Sequence, residues 1–302
     1  MIWQIFHGFC MALADSVPGV SGGTVAYILG FYERFIGALN DLFSGSSRER
    51  RNALVYLAKL GVGWIVGMIA SMLVLNQLFE RNIYFLTSVF LGLTCAALPF
   101  VAAEEKDALK GHGRHWPFFL VGLVLVCGMV VVRDVVASSV ALHFNALSLF
   151  EYAHVFISGA LAISAMVLPG VSGSTVLLIT GVYIPTISAV SNVLHLRLEF
   201  LPGLLALLLG IICGAAVSVR FLKKALANHR SPMVFFILGL MAGSLYAIMM
   251  GPTTMADGQA PLSFDTFSIL AFLIGIGILI ILERIKVIGQ RREAEMEELL
   301  KY

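Results

Sequence analysis

Long stretches of about 20 residues with almost no charge recur along this chain, and short segments between them hold most of its Lys and Arg. A hydrocarbon core about 30 Å thick needs roughly 20 apolar residues to cross as a helix, against about 10 for a barrel strand. Inside that core the backbone must satisfy its own hydrogen bonds. Runs of this length therefore predict an all-α polytopic membrane protein. Six spans are expected, at about 53–75, 83–103, 116–136, 201–220, 233–251 and 266–285. Only 13% of the 302 residues are charged, about half the share of a soluble domain, which leaves little chain for one. The N-terminal stretch "MIWQIFHGFCMALAD" has no basic region and no small-residue cleavage site, so it reads as mature protein.

Two further apolar regions, 2–40 and 152–190, are each broken by the same five residues, Pro-Gly-Val-Ser-Gly, as "DSVPGVSGGTVAYILGFYERF" from Asp15 and "MVLPGVSGSTVLLITGVYIPT" from Met166. The arm before the first break would reach only ~20 Å as a helix at 1.5 Å per residue, too short to cross. Both regions are expected to be re-entrant helical hairpins, turning at Pro18–Gly19 and Pro169–Gly170.

Charge supports that reading. With both regions as hairpins, one side holds Arg48, Arg50, Arg51, Lys106, Lys110, Arg114, Lys223, Lys224, Arg230 and five basic residues of the C-terminal tail. The opposite side holds only Arg81, Arg133 and Arg197. Basic loops stay in the cytoplasm, so both termini are expected there, in a cytoplasmic (inner) membrane. If the second region crossed fully, the bias would collapse.

The chain also repeats itself. Ala14, Val20, Val25, Ile28, Gly30, Tyr32, Ile36 and Ala38, together with most of the motif, recur 151 residues later. Gly63, Gly67, Ser71, Gly92 and Leu93 recur 147 residues later. A single membrane domain is expected, made of repeat 1 (1–151) and repeat 2 (152–302), each one hairpin plus three spans. Three is odd, so the repeats should have inverted topology, an architecture that places broken helices near the midplane of many transporters.

Ser21 and Ser172 are placed to cap the helix that follows each turn, with Thr24 and Thr175 three residues on. Exposed amides and the positive dipole end of a helix attract anions. Gly22, Gly23 and Gly173 let an oxyanion approach the backbone, and the Ser21, Thr24, Ser172, Ser174 and Thr175 hydroxyls add donors. These eight residues are the candidate phosphate-binding set. The competing explanation is that small residues merely allow close helix packing. The copies differ at Asp15, Glu33 and Arg34, which align with Met166, Ile184 and Pro185. Ionisable residues at membrane depth are candidates for coupling or gating. Asp15 would bind a cation, carry a proton or cap amides, and Glu33, Arg34 and Arg133 join it as candidates. H⁺ or Na⁺ coupling is one expectation. Cys10, Cys95, Cys127 and Cys213 lie apart in apolar segments, and His112 and His115 lack further ligands, so no metal and no cofactor is expected. There is no Walker sequence, no GxGxxG and no basic–aromatic pattern suited to nucleic acid.

At "DSVPGVSGGT…G.YERFI" and "LPGVSGST…GVY" the sequence resembles the polyprenyl-phosphate transporter family, over essentially the whole chain. That resemblance implies a non-enzymatic flippase that returns undecaprenyl phosphate from the outer to the inner leaflet for peptidoglycan and other envelope synthesis. It also implies that the two motifs hold the lipid phosphate. Two alternatives compete. One is a secondary transporter of a small anion. The other is an intramembrane undecaprenyl-pyrophosphate phosphatase, but in such enzymes an Arg follows the motif Ser, and here Gly22 and Gly173 do.

Overall fold

The structure is a computed structural model that describes residues 2–16, 20–136, 142, 144–254 and 259–299. Regular structure among these residues is helical throughout. In the first half, α1 (Ile2–Asp15) leads to a short α2 (Gly22–Ile28), then α3 (Tyr32–Ser44), the long α4 (Ser47–Glu104), one turn of α5 (Lys106–Leu109) and α6 (Trp116–Val136). The second half has the same order: α7 (Leu149–Met166), a short α8 (Gly173–Ile179), α9 (Tyr183–Leu194), α10 (Leu201–Asn228), α11 (Arg230–Met249) and α12 (Ile269–Leu299). α4 breaks at Asn82, whose φ of −146° and ψ of 48° leave the helical region, so it forms two arms.

Among the described residues, six helical segments are long and apolar enough to cross a membrane: Ser47–Ser71, Asn82–Glu104, Gly113–Arg133, Leu149–Met166, Leu198–Asn228 and Arg230–Met249. α12 starts at Ile269, inside the run expected at 266–285, and continues to Leu299. One difference from the sequence reading concerns α7. It begins three residues earlier than expected, and at 18 residues it spans about 27 Å, against about 21 Å for the 14 residues of α1. The cause is a capping box: Ser148 Oγ accepts from the Glu151 amide, and the Ser148 amide donates to Glu151 at 2.7 Å.

Local chemistry explains the broken segments. α2 and α8 each end at a glycine with positive φ, Gly30 at 72° and Gly181 at 70°, positions 151 residues apart where a β-carbon would strain the turn. After that turn the chain swings sharply, and α8 and α9 meet at 103°.

Glycines let the long helices touch backbone to backbone. A β-carbon at Gly63 of α4 would fall on the Ile5 carbonyl of α1, and one at Gly210 of α10 on the Phe156 carbonyl of α7. Gly8 meets Leu60 as Gly159 meets Leu207. The second arm of α4 packs on α12 through Gly92 and Gly275, and α11 packs on α6 through Gly239 and Gly122. Each contact has its counterpart, and the pairs Gly8 and Gly159, Gly63 and Gly210, and Gly92 and Gly239 keep the offsets found in the sequence. The halves exchange their last helices, so neither packs by itself. Large apolar side chains such as Val124 and Val217 point outward, 65% and 71% exposed, as a lipid-facing surface requires.

The main core holds Ile28, Ile36, Ile237 and Met241. All seven residues of α2 are buried, four of them in this core, whereas in α8 only Val176 is buried. The two broken segments thus share their element order and differ in burial.

Candidate functional site at the paired motifs

The turn residues Pro18 and Gly19 lie outside the described residues. The rest of the first motif sits at the start of α2. Ser21, 2% exposed, is the N-cap, and its hydroxyl accepts from the Gly23 amide at 3.2 Å. The Gly22 amide does not wait for an outside anion. It donates to Asp15 Oδ1 at 2.7 Å, while Asp15 Oδ2 accepts from Trp64 Nε1 at 3.0 Å. The carboxylate fills the space beside Gly22, where a β-carbon would lie 2.7 Å from Oδ2. Of the three roles weighed for Asp15, the geometry displays the cap.

The second motif differs. Ser172 is the N-cap of α8 by position, but its hydroxyl makes no capping bond and pairs with Ser174 Oγ at 2.7 Å. Met166 stands where the first copy has Asp15, and Ile211 where it has Trp64. Among the described residues no side chain takes up the first-turn amides of α8. Ser174 is exposed and Ser172, Gly173 and Thr175 are half-buried. Gly170, with φ of 85°, seats against the Leu240 backbone, where a β-carbon would lie 2.7 Å from its carbonyl carbon. Close packing therefore accounts for that glycine. A cavity of about 10 Å³, room for one water, lies between this turn and Val126, Met129, Val130 and Ala247, with Ser172 and Thr175 on its wall.

The structure brings the two motifs together. The Gly170 amide donates to the Thr24 hydroxyl at 2.8 Å, across 146 residues of sequence. Tyr32, buried at the start of α3, donates to the Val167 carbonyl at 2.8 Å. Both bonds join α2 and α3 to the segment between α7 and α8.

The other candidates lie elsewhere. Glu33 pairs with Arg230 at 2.9 Å on the surface. The Arg34 guanidinium sits 5.0 Å from the centre of the Tyr56 ring, beside a 350 Å³ groove that also contains Asp41, Glu49 and Asn52. Arg133 is buried and donates to Thr253 Oγ1 at 3.1 Å. Sequence reasoning missed Trp64, Tyr27, Glu105 and Arg230 as partners. Trp64 is one of only three tryptophans, a weak signal, and no spacing rule links it to a carboxylate 49 residues away.

The profile of the VCA0040-like family, described as undecaprenyl phosphate translocase-like, matches residues 11–265 and so takes in both motifs. The chain belongs to this family. It is 30% identical over 283 residues to a polyprenyl-phosphate transporter of Staphylococcus aureus (strain NCTC 8325 / PS 47), covering 93% of this chain and 96% of that one. It is 28% identical over 250 residues to a polyprenyl-phosphate transporter of Vibrio cholerae serotype O1 (strain ATCC 39315 / El Tor Inaba N16961), covering 79% and 74%. No solved structure matches the chain.

Proposed function

We propose that this chain carries undecaprenyl phosphate from the outer to the inner leaflet of the bacterial cytoplasmic membrane, returning the carrier lipid to envelope synthesis. The polyprenyl tail stays in hydrocarbon throughout, and only the phosphate needs a polar path across the core. The open donors of the second motif, Ser172, Gly173, Ser174 and Thr175, receive the phosphate. The first motif, Ser21, Gly22, Gly23 and Thr24, supplies the facing wall. Placing fixed N–H and O–H donors at mid-depth offsets the several kcal/mol that an unpaired anion would otherwise lose there.

The observation that carries this reading is the Thr24–Gly170 bond, which brings the start of α2 within hydrogen-bond reach of the second motif's turn. The family and the names of its relatives supply the substrate class. We take the hairpins as re-entrant from opposite sides and both termini as cytoplasmic, on the strength of the basic loops and of the matching contacts in the two halves. The glycine seats fix α1 on α4 and α7 on α10, so alternating access moves these pairs as units rather than swinging each hairpin alone.

Binding tests the substrate assignment. Purified chain in nanodiscs should retain a polyprenyl phosphate against competition from the neutral polyprenol. Inorganic phosphate at millimolar concentration should compete poorly. Equal retention of the polyprenol would remove the phosphate from the recognition, and full competition by inorganic phosphate would favour a small-anion carrier.

A further inference from the structure

Outside the motifs, a polar cluster sits at the face that carries the basic loops. Arg230, the first residue of α11, donates through Nε and one terminal nitrogen to both oxygens of Glu105 at 3.0 and 2.9 Å. Its other terminal nitrogen pairs with Glu33 Oε1 at 2.9 Å. Glu33 and Glu105 belong to the first half of the chain and Arg230 to the second, so one guanidinium ties the halves together.

The cluster is wired to the motifs. Glu105 Oε1 also accepts from the Tyr27 hydroxyl at 3.1 Å, and Tyr27 stands one turn beyond Thr24 on α2. The Tyr27 ring packs against Tyr32 with centroids 5.2 Å apart, and Tyr32 holds the Val167 carbonyl, two residues before Pro169. A continuous path therefore runs from the surface ion pair, through two buried aromatic rings, to the turn of the second hairpin.

The seam it closes is a weak one. Where α1 and α7 meet their neighbours, glycines bring backbones into contact, and such seats do not slide. Between α3 and the second half the polar links are different in kind. Apart from the buried Tyr32–Val167 bond, they are Arg230–Glu33, Lys223–Asp41 at 3.2 Å, and Arg220, which donates to Ser44 Oγ at 2.7 Å and to the Phe43 carbonyl at 3.4 Å. The Glu33, Arg230 and Lys223 side chains are 60%, 50% and 48% exposed, where ion pairs are cheap to break and re-form. Glu105 is the most sheltered, at 13%, and Asp41 is half-buried.

We propose that Arg230, Glu105 and Glu33 form the gate on this face of the transporter, and that Tyr27 and Tyr32 are positioning residues that link its state to the second motif. This rests on the transport reading above. With the gate shut, as here, the first motif is covered: Ser21 and Thr24 are each 2% exposed. Release of Arg230 frees α3 and the Tyr27–Tyr32 pair, and opens the motifs toward the basic face.

Two measurements test it, in a background with Cys10, Cys95, Cys127 and Cys213 replaced by serine. Glu33→Cys with Arg230→Cys, bridged by a reducible bis-thiosulfonate cross-linker in proteoliposomes, should lose at least tenfold in transfer of undecaprenyl phosphate between leaflets. Reduction should restore the rate. Full transport while cross-linked would make the cluster a static brace and overturn the gate. If the cysteine pair is inactive before cross-linking, labelling decides. A Thr24→Cys probe should react several-fold faster with a membrane-impermeant maleimide from the basic face when Arg230→Gln is added. Unchanged labelling overturns the proposal. Labelling needs no lipid substrate, so a chain that labels as expected but moves no lipid keeps the gate and loses the transport reading.

Discussion

Asp15 offers the sharpest test of how the first motif is built. Its carboxylate accepts two N–H groups, from Gly22 at 2.7 Å and from Trp64 at 3.0 Å. An asparagine has the same shape but one acceptor oxygen, so in Asp15→Asn one of the two donors must face an NH₂ group. A buried donor left without a partner costs about 1–3 kcal/mol. Trp64→Phe instead removes one donor and leaves the carboxylate with a single bond. A hydrogen bond to a charged group contributes about 1.5–3 kcal/mol. In the Asp15→Asn background the same Trp64→Phe change removes the donor that the amide can no longer satisfy. The two substitutions should therefore couple by about 1 kcal/mol or more, well above the additivity error of distant sites. Thermal unfolding of the purified chain in detergent reads this out. At roughly 2–4 °C per kcal/mol, Asp15→Asn should lower the midpoint by about 4 °C. Trp64→Phe should lower it by a similar amount alone and by little in addition. Additive shifts, or an Asp15→Asn midpoint equal to that of the parent, would refute the cap.

Three further outcomes follow from the same geometry. Thr24→Val keeps the shape but leaves the buried Gly170 amide without its acceptor, so stability should fall by about 1–3 kcal/mol while Thr24→Ser stays near the parent in the same unfolding assay. Gly63→Ala and Gly210→Ala each push a methyl group onto a facing carbonyl and should destabilise by about 1–3 kcal/mol, whereas Gly61→Ala, with open space around it, should not destabilise. Ser172→Ala with Ser174→Ala removes two hydroxyls that bond each other, so transport should fall with the unfolding midpoint unchanged; Ser21→Ala should lower stability by about 1 kcal/mol through loss of its cap.

The helical, membrane-embedded character of the chain was legible because it depends on composition and run length, which need no tertiary information. The repeat was legible at its glycines for a physical reason. A position where two backbones touch tolerates no side chain, so Gly63 and Gly210, or Gly92 and Gly239, mark equivalent contacts in each half. The exchange of last helices left no such trace, since an offset between positions does not reveal which helix faces which. The unequal depth of the motifs was hidden for a similar reason. Their own residues are nearly identical, and the difference is made by Asp15 and Trp64 against Met166 and Ile211, one pair of which lies in a distant helix. Glu33 was flagged as a charge near a membrane end, but its partner Arg230 and the shared Glu105 come together only through folding. Arg133, one of the gating candidates in the sequence, donates to Thr253 in the structure.

Transfer of undecaprenyl phosphate between the leaflets of liposomes that contain only this chain and defined phospholipid tests the central claim most directly. The account predicts that transfer is accelerated well above protein-free liposomes, that polyprenol gains no such acceleration, and that no phosphate is released from undecaprenyl pyrophosphate. Transfer at the protein-free rate, with the chain folded and inserted, would contradict it.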